Sequence, residues 1–447
     1  MSQKHYEVVI IGSGISGSAL MYCLANFTDI KSVALLEKYD TIAPLNSKGE
    51  CNSQTIHSGD IETNYSFDKA KSVAKIAQMP IKYALKYNYE NKFMFSHQKM
   101  VLGVGEKECD LIQSRFEIFK EIYPYLELFD KNELKSIEPN VVFKDHKSER
   151  SEKILAMGAR VGQYTTIDFG AMSVSLVNNA KTISKDDYEL HLNCNVKEIK
   201  KIGDKFYLKT NDSVITASCV VVNAGSYSLF LAHQMGYAQH LSTLPVAGSF
   251  YFANKKLLNG KVYMVQNDKL PFAALHGDPD ILANELTRFG PTALVMPKLE
   301  RYHGMDSFYD FFECLKFDKK IAKIFIDLLK DRDIANYLIK NFLYEIPFIN
   351  KHAFVKEARK IVPSLRVEDI KYAKNFGGIR PQVIDKNSGK LEFGEGKIVT
   401  NDGIIFNMTP SPGATSCFAT AKSDLEHIVA YLDGNFNIDK FNAEFFE

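Results

Sequence analysis

Six residues near the start of the chain have the spacing of a phosphate cradle. Gly12, Ser13, Gly14, Ile15, Ser16 and Gly17 read G-x-G-x-x-G. The first glycine of that pattern permits a tight turn, the second lets backbone approach a pyrophosphate, and the third lets a helix pack close to the preceding strand. About 20 residues further on stands Glu37, followed by Lys38; a carboxylate at that distance can accept both ribose hydroxyls and repels a 2′-phosphate. A second stretch, Asn52-Ser53-Gln54-Thr55-Ile56-His57-Ser58-Gly59, is too polar for a core element and suits a loop that touches a ligand. The chemistry implied is dinucleotide binding.

The flanking elements must present those residues. Residues 6–11 form a short β-branched run, as in a buried parallel strand, and Ala19, Leu20, Cys23, Leu24 and Phe27 recur at helical spacing. The glycines therefore open a helix whose N-terminus faces the phosphates. Residues 32–36 read as the second strand. Helices are expected over 65–87, where Pro80 can kink or break the run, and over 106–123. Residues 93–104 read as one strand, with Gly103-Val104-Gly105 as its exit turn. Residues 195–222 alternate as a β-meander and deliver the small-residue turn Asn223-Ala224-Gly225. Residues 241–300 are strand-like, with a strand at 292–296; 305–358 are helical, 375–420 are glycine-rich loops around short strands, and 423–432 form a closing helix. The fold class is α/β: a Rossmann-like dinucleotide domain of interleaved segments with a β-rich α+β substrate domain. The expected boundaries are 1–90, 153–240 and 375–447 for the first and 91–152 and 241–374 for the second.

Composition narrows the classes. Lys plus Arg number 55 against 54 Asp plus Glu in 447 residues, so charge proposes no nucleic-acid partner. Seven scattered cysteines without a C-x-x-C pair argue against disulfides or zinc and fit a reducing cytosol. No residue set has metal-ligand spacing. The first strand begins within a few residues of Met1, leaving no room for a signal peptide, and no apolar run is long enough to cross a membrane.

Further stretches separate FAD from NAD. Val196 in Asn195-Val196-Lys197-Glu198-Ile199, the turn Asn223-Ala224-Gly225, and Ser411-Pro412-Gly413-Ala414-Thr415 before the last helix join Glu37-Lys38 in resembling the FAD set of D-amino-acid-oxidase-like flavoproteins. Within that superfamily, the run 52–59 followed by Glu62-Thr63-Asn64-Tyr65-Ser66 looks like the malate:quinone oxidoreductase family. Gly162-Gln163-Tyr164-Thr165-Thr166-Ile167-Asp168, Arg288-Phe289-Gly290-Pro291 and Gly377-Gly378-Ile379-Arg380-Pro381-Gln382 agree with it. The resemblance implies FAD, held without a covalent bond although Cys417 lies near the last glycine turn. It also implies (S)-malate as substrate and membrane quinone as acceptor. It places Asn52, Ser53, Thr55, Gly378, Pro412, Gly413, Ala414 and Thr415 on the cofactor, and Gln54 and Tyr65 on the substrate. The run 52–59 equally resembles L-2-hydroxyglutarate oxidases. A non-enzymatic FAD-binding redox sensor is the alternative from another class.

Oxidising a 2-hydroxy acid requires a base for the hydroxyl proton and a cation for each carboxylate. The planar fork of arginine suits a carboxylate, which selects Arg380 between Gly378 and Pro381, with Arg288 for the distal carboxylate. His276 is the favoured base, with Asp278 to orient it; His57 competes and is read as lining the flavin or hydrogen-bonding substrate. Quinone is lipid-soluble, so a peripheral location on the inner face of the cell membrane is expected. Phe317, Ile321, Ile324, Phe325, Leu328 and Leu329 share one helical face, with Lys319, Lys320, Lys323 and Lys330 mainly off it, as an interfacial helix requires.

Overall fold

Apolar, β-branched residues dominate the strand His5–Ile11. In the computed structural model, which describes residues 4–145, 147–184, 187–266, 274–392, 396–408 and 412–447, its Val8, Val9 and Ile10 are fully buried. The strand lies inside a parallel sheet ordered Ile404–Met408, Val214–Val222, His5–Ile11, Ser32–Leu36, Asp187–His191. Helices Ile15–Phe27, Phe169–Ile183 and Cys417–Leu432 cover one face. The other face is covered by Phe206 and Leu208 of an antiparallel meander and by Phe311, Cys314, Ile321 and Ile324 from later helices. Burial on both faces is why these strands read as continuous apolar runs.

A second eight-stranded sheet is mainly antiparallel and runs from Ile370–Tyr372 through Tyr251–Ala253, Thr287–Gly290, His276–Pro279, Lys261–Met264, Lys99–Val104 and Ile154–Ala159 to Glu127–Phe129. The strand Ile154–Ala159 pairs with Lys99–Val104 in this sheet. A smaller sheet pairs Leu241–Ala247 with Ile379–Asp385, placing Arg380 opposite Val246.

Several local expectations are corrected. The helix Phe67–Lys86 runs unbroken through Pro80, because Ala77, Met79, Ile81, Tyr83 and Ala84 around it are buried in the core. Residues 93–104 form two strands: Met94–Ser96 pairs with Tyr164–Ile167, while Lys99–Val104 turns to the second sheet. The helix expected to reach 123 ends at Phe119, and the strand expected at 292–296 is only Leu294–Val295. The helix Cys417–Leu432 starts earlier than expected and does not close the chain. Ile438–Phe445 follows, capped by Asn437 and anchored by the buried Phe441 and Phe445.

Gly12 and Gly17 carry the tightest contact in the cradle. A Cβ on Gly17 would sit 2.0 Å from the Gly12 carbonyl oxygen, and Gly12 itself has φ +102°. Neither neighbour is a flexible side chain, so relief requires moving the first strand against its helix. Gly17→Ala is expected to destabilise the fold by about 1–3 kcal/mol, read as a lower thermal midpoint; an unchanged midpoint would show that strand and helix can part at little cost.

Candidate active site

The first strand, the glycine helix and the turn after Val222 meet around a cavity of about 870 Å³. At its glycine end Gly12, Gly14, Ile15 and Ser16 form the wall. Ser13 and Gly17 stand behind it: Gly17 is packed on Gly12, and Ser13 donates to Glu37 Oε2 through its backbone N–H (3.0 Å) and hydroxyl (2.7 Å). The Tyr39 N–H donates to Glu37 Oε1 at 3.1 Å. Three donors leave the buried carboxylate one accepting position, since two oxygens offer about four. Lys38 and Val196 line the same end, and Lys38 pairs with Glu300 at 3.3 Å.

The turn Asn223-Ala224-Gly225 forms the middle of the wall. Asn223 accepts from Asn407 at 3.0 Å, while its buried side-chain Nδ2 has no partner among the described residues. An orphaned buried donor beside glycines is what an extended, anion-bearing cofactor satisfies, so these residues fit a dinucleotide. Ser47, which the sequence did not single out, accepts from the Ile15 N–H at 2.9 Å.

The far end brings together Asn52, Ser53, Thr55, His57, Gly378, Arg380, Pro412, Gly413, Ala414 and Thr415; Ser411 lies outside the described residues. The His57 N–H donates to Thr415 Oγ1 at 3.1 Å, tying the two loops. His57 Nδ1 lies 2.8 Å from Glu62 Oε1, which leaves Nε2 as the ring nitrogen not held by that bond. Burial works to raise the Glu62 carboxyl, but the His57 hydrogen bond and the charges of His57 and Lys99 outweigh it and hold it below the usual range. Glu62 was legible only as part of a motif. Pairing each histidine with nearby carboxylates would have found it five positions on.

Arg380 has no ion pair or side-chain hydrogen bond among the described residues. Burial lowers its guanidinium from the ordinary value, with Tyr337 and Tyr263 acting the other way, yet arginine stays charged. Asn46 positions it: its Nδ2 donates to the Ile379 carbonyl at 2.8 Å, and its Oδ1 accepts from the Ile379 N–H at 3.0 Å.

Four residues expected to act on the substrate do not line the cavity either. His276 is fully enclosed, stacked on Tyr263 with ring centroids 4.1 Å apart, and burial pushes its imidazole down to about 3. A neutral ring that resists protonation is a poor proton acceptor. Arg288 is completely buried between Asp278 (3.5 Å) and Asp280 (2.8 Å), its charge already matched. Gln54 spends its amide on Gly49 and Asp280 and accepts from the Ile281 N–H. Tyr65 belongs to the core around Phe119 and Tyr123, with Lys69 over its ring.

With that geometry in place, comparison with known proteins assigns the chain. The profile of the malate:quinone oxidoreductase family matches residues 4–432. The chain belongs to that family. It is 56% identical over 447 residues to the probable malate:quinone oxidoreductase of Campylobacter jejuni, covering 99% of this chain and all of that one. It is 47% identical to the malate:quinone oxidoreductase of Helicobacter pylori strain 26695, covering 98% and 97%. In structure it resembles the FAD-bound L-alpha-glycerophosphate oxidase of Mycoplasma pneumoniae, with TM-score 0.67, 18% identity and 95% of each chain covered. The fold is therefore the one shared by that FAD-bound oxidase and by the glycine oxidase of Geobacillus kaustophilus, at TM-score 0.64 and 15% identity. The chain is an oxidoreductase of malate with a quinone acceptor, and its cofactor is FAD. The L-2-hydroxyglutarate reading is the weaker one, and the sensor reading gives way to an enzyme.

The buried His276 makes stability depend on pH. Its folded pKa, about 3, lies below the ordinary imidazole value of 6.5, so between those values the unfolded chain binds a proton that the folded chain refuses. That contribution is fully present above 6.5 and is lost as pH falls toward 3. His276→Gln is expected to flatten this part of the stability curve in urea unfolding between pH 7 and pH 4.5; parallel curves for parent and variant would show that the ring titrates normally.

Proposed function

We propose that His57 is the proton acceptor and Arg380 the carboxylate clamp in the oxidation of (S)-malate. The observation that carries this reading is a cation with no counter-ion among the described residues, sharing one cavity end with a histidine whose Nδ1 is held by a buried carboxylate. A malate carboxylate supplies the charge that Arg380 lacks and can occupy both prongs of its fork. The C2 hydroxyl proton passes to His57 Nε2, while Glu62 holds the ring and stabilises the imidazolium. When bound, FAD would supply the acceptor for the hydride leaving C2 and the store of the electron pair destined for quinone. Oxaloacetate remains, with one proton on His57 and two electrons removed.

Gly12, Gly14, Glu37 and the Asn223–Gly225 turn would hold the dinucleotide, and the loops ending in Thr55 and Thr415 its other end. Non-covalent binding is supported by Cys417, which is buried and outside the cavity lining. The two large sheets support a division into interleaved cofactor and substrate domains. No described helix is long and apolar enough to cross a membrane. A lipid-soluble acceptor therefore favours peripheral contact with the inner face of the cell membrane.

Anaerobic addition of malate to the yellow protein should bleach the oxidised flavin band at about 450 nm; persistence of the band would overturn the malate reading. Arg380→Lys should retain FAD yet lose about 2 kcal/mol or more in kcat/KM, because one ammonium cannot replace a bidentate fork. A change of only a few-fold makes Arg380 structural. His57→Gln should slow flavin reduction by about 100-fold or more, and Glu62→Gln should displace the acid limb of the kcat profile. If His57→Gln reduces flavin at the parental rate, the base lies elsewhere.

A further inference from the structure

The helix Lys319–Lys330 does not offer the apolar face that its sequence suggests. Ile321 and Ile324 are buried, and Phe325 and Leu328 pack against the same core. What remains outside is Phe317 and Leu329 of that stripe, joined by other large apolar side chains of this helix and of the neighbouring turns and helix. Phe317 is 64% exposed, Ile326 55%, Leu329 58%, Ile339 60%, Phe342 58% and Phe348 92%. Such a concentration of exposed apolar residues in one stretch of a folded chain marks an interaction surface.

We propose that this outer face of helices Lys319–Lys330 and Arg332–Leu343, with the turns carrying Phe317 and Phe348, docks on an anionic bilayer. The proposal rests on the peripheral-membrane reading above and supplies the surface. Charge identifies the occupant. Residues 331–348 carry Arg332 and Lys340 against Asp331, Asp333 and Glu345, so the positive excess lies in residues 316–330, with five lysines and two aspartates. Both aspartates are engaged, Asp318 by Lys386 and Asp327 by Lys330, while Lys319, Lys320 and Lys323 enter no ion pair among the described residues. Lys319, Lys323 and Lys330 share the helical side of Ile326, at spacings of three, four and seven. Lysines flanking apolar side chains meet anionic headgroups while the apolar groups enter the acyl boundary. A symmetric contact between two copies would instead bring these unpaired lysines toward one another.

The same layer reaches one residue of the cavity wall. Asn341 accepts from the Ala293 N–H at 2.7 Å, and Arg301, which lines the cavity, lies 3.5 Å from Glu345 at the end of the second helix. Docking through this face would therefore hold the redox site close to the bilayer that dissolves its acceptor.

Co-sedimentation of the FAD-loaded full chain with phosphatidylglycerol/phosphatidylcholine vesicles tests the surface. The parent should bind, more weakly at high salt and on pure phosphatidylcholine. Ile326→Glu combined with Leu329→Glu should lower binding by about tenfold or more while malate-driven reduction of a water-soluble dye stays within about twofold. Lys319→Gln, Lys320→Gln and Lys323→Gln together should abolish the preference for anionic vesicles without touching packing. If the parent binds and both variants bind equally, the surface is wrong and the membrane reading survives. If the parent binds no vesicle, both fail; a parental dimer that the Ile326/Leu329 variant dissolves would then identify the face as a contact between copies.

Discussion

A cluster of buried charges beneath the cavity floor holds the active-site loop in place. Lys99 pairs with Asp60 at 2.7 Å, and its ammonium also donates to the Ile56 carbonyl at 3.1 Å. Lys261 donates to the Ser53 carbonyl and to Asp278, each at 3.2 Å. Two lysines on adjacent parallel strands therefore grip the backbone of the 53–60 loop from below, at residues on either side of Thr55. Tyr263 adds a hydrogen bond to Thr55 and Tyr123 one to the Ser58 carbonyl. Removing one partner from such a pair leaves a buried uncompensated charge, which costs about 3–5 kcal/mol. The geometry of His57 depends on that clamp, because neither a polar loop nor an imidazole has apolar area enough to hold itself.

The contrast between paired and unpaired cations sorts structural from chemical roles. Lys99, Lys261 and Arg288 are all enclosed, and each has a carboxylate. Arg380 is held by Asn46 through its neighbour's backbone and faces Val246 across the strand pair, so the fold supplies position without a counter-charge among the described residues. A cation kept this way has most to gain from an arriving carboxylate. The histidines divide similarly. His276 is packed into the clamp, against Tyr263 and near Asp278, where burial keeps it neutral. His57 stands at the cavity surface, with its carboxylate behind it.

What the sequence by itself determined is what depends on neighbours along the chain. The glycine spacing, the strand and helix around it and the acidic residue after the second strand specify a dinucleotide cradle, because a turn, a helix N-terminus and a short crossover are local structures. Glu37 meets Ser13 where the two parallel strands end, as that pattern requires. The tertiary structure decided everything that turns on register and facing. Arg288 and Arg380 both sit beside glycines, but pairing of adjacent strands sets Arg288 opposite Asp278 and Arg380 opposite Val246. His57 and His276 each have a carboxylate a few residues on, and no spacing states which ring reaches the cavity. Helical period located an apolar stripe over residues 317–330, yet only packing showed that Ile321 and Ile324 turn inward and Ile326 and Leu329 outward. Periodicity encodes which side chains share a face; what that face meets is set by chain segments far away in sequence.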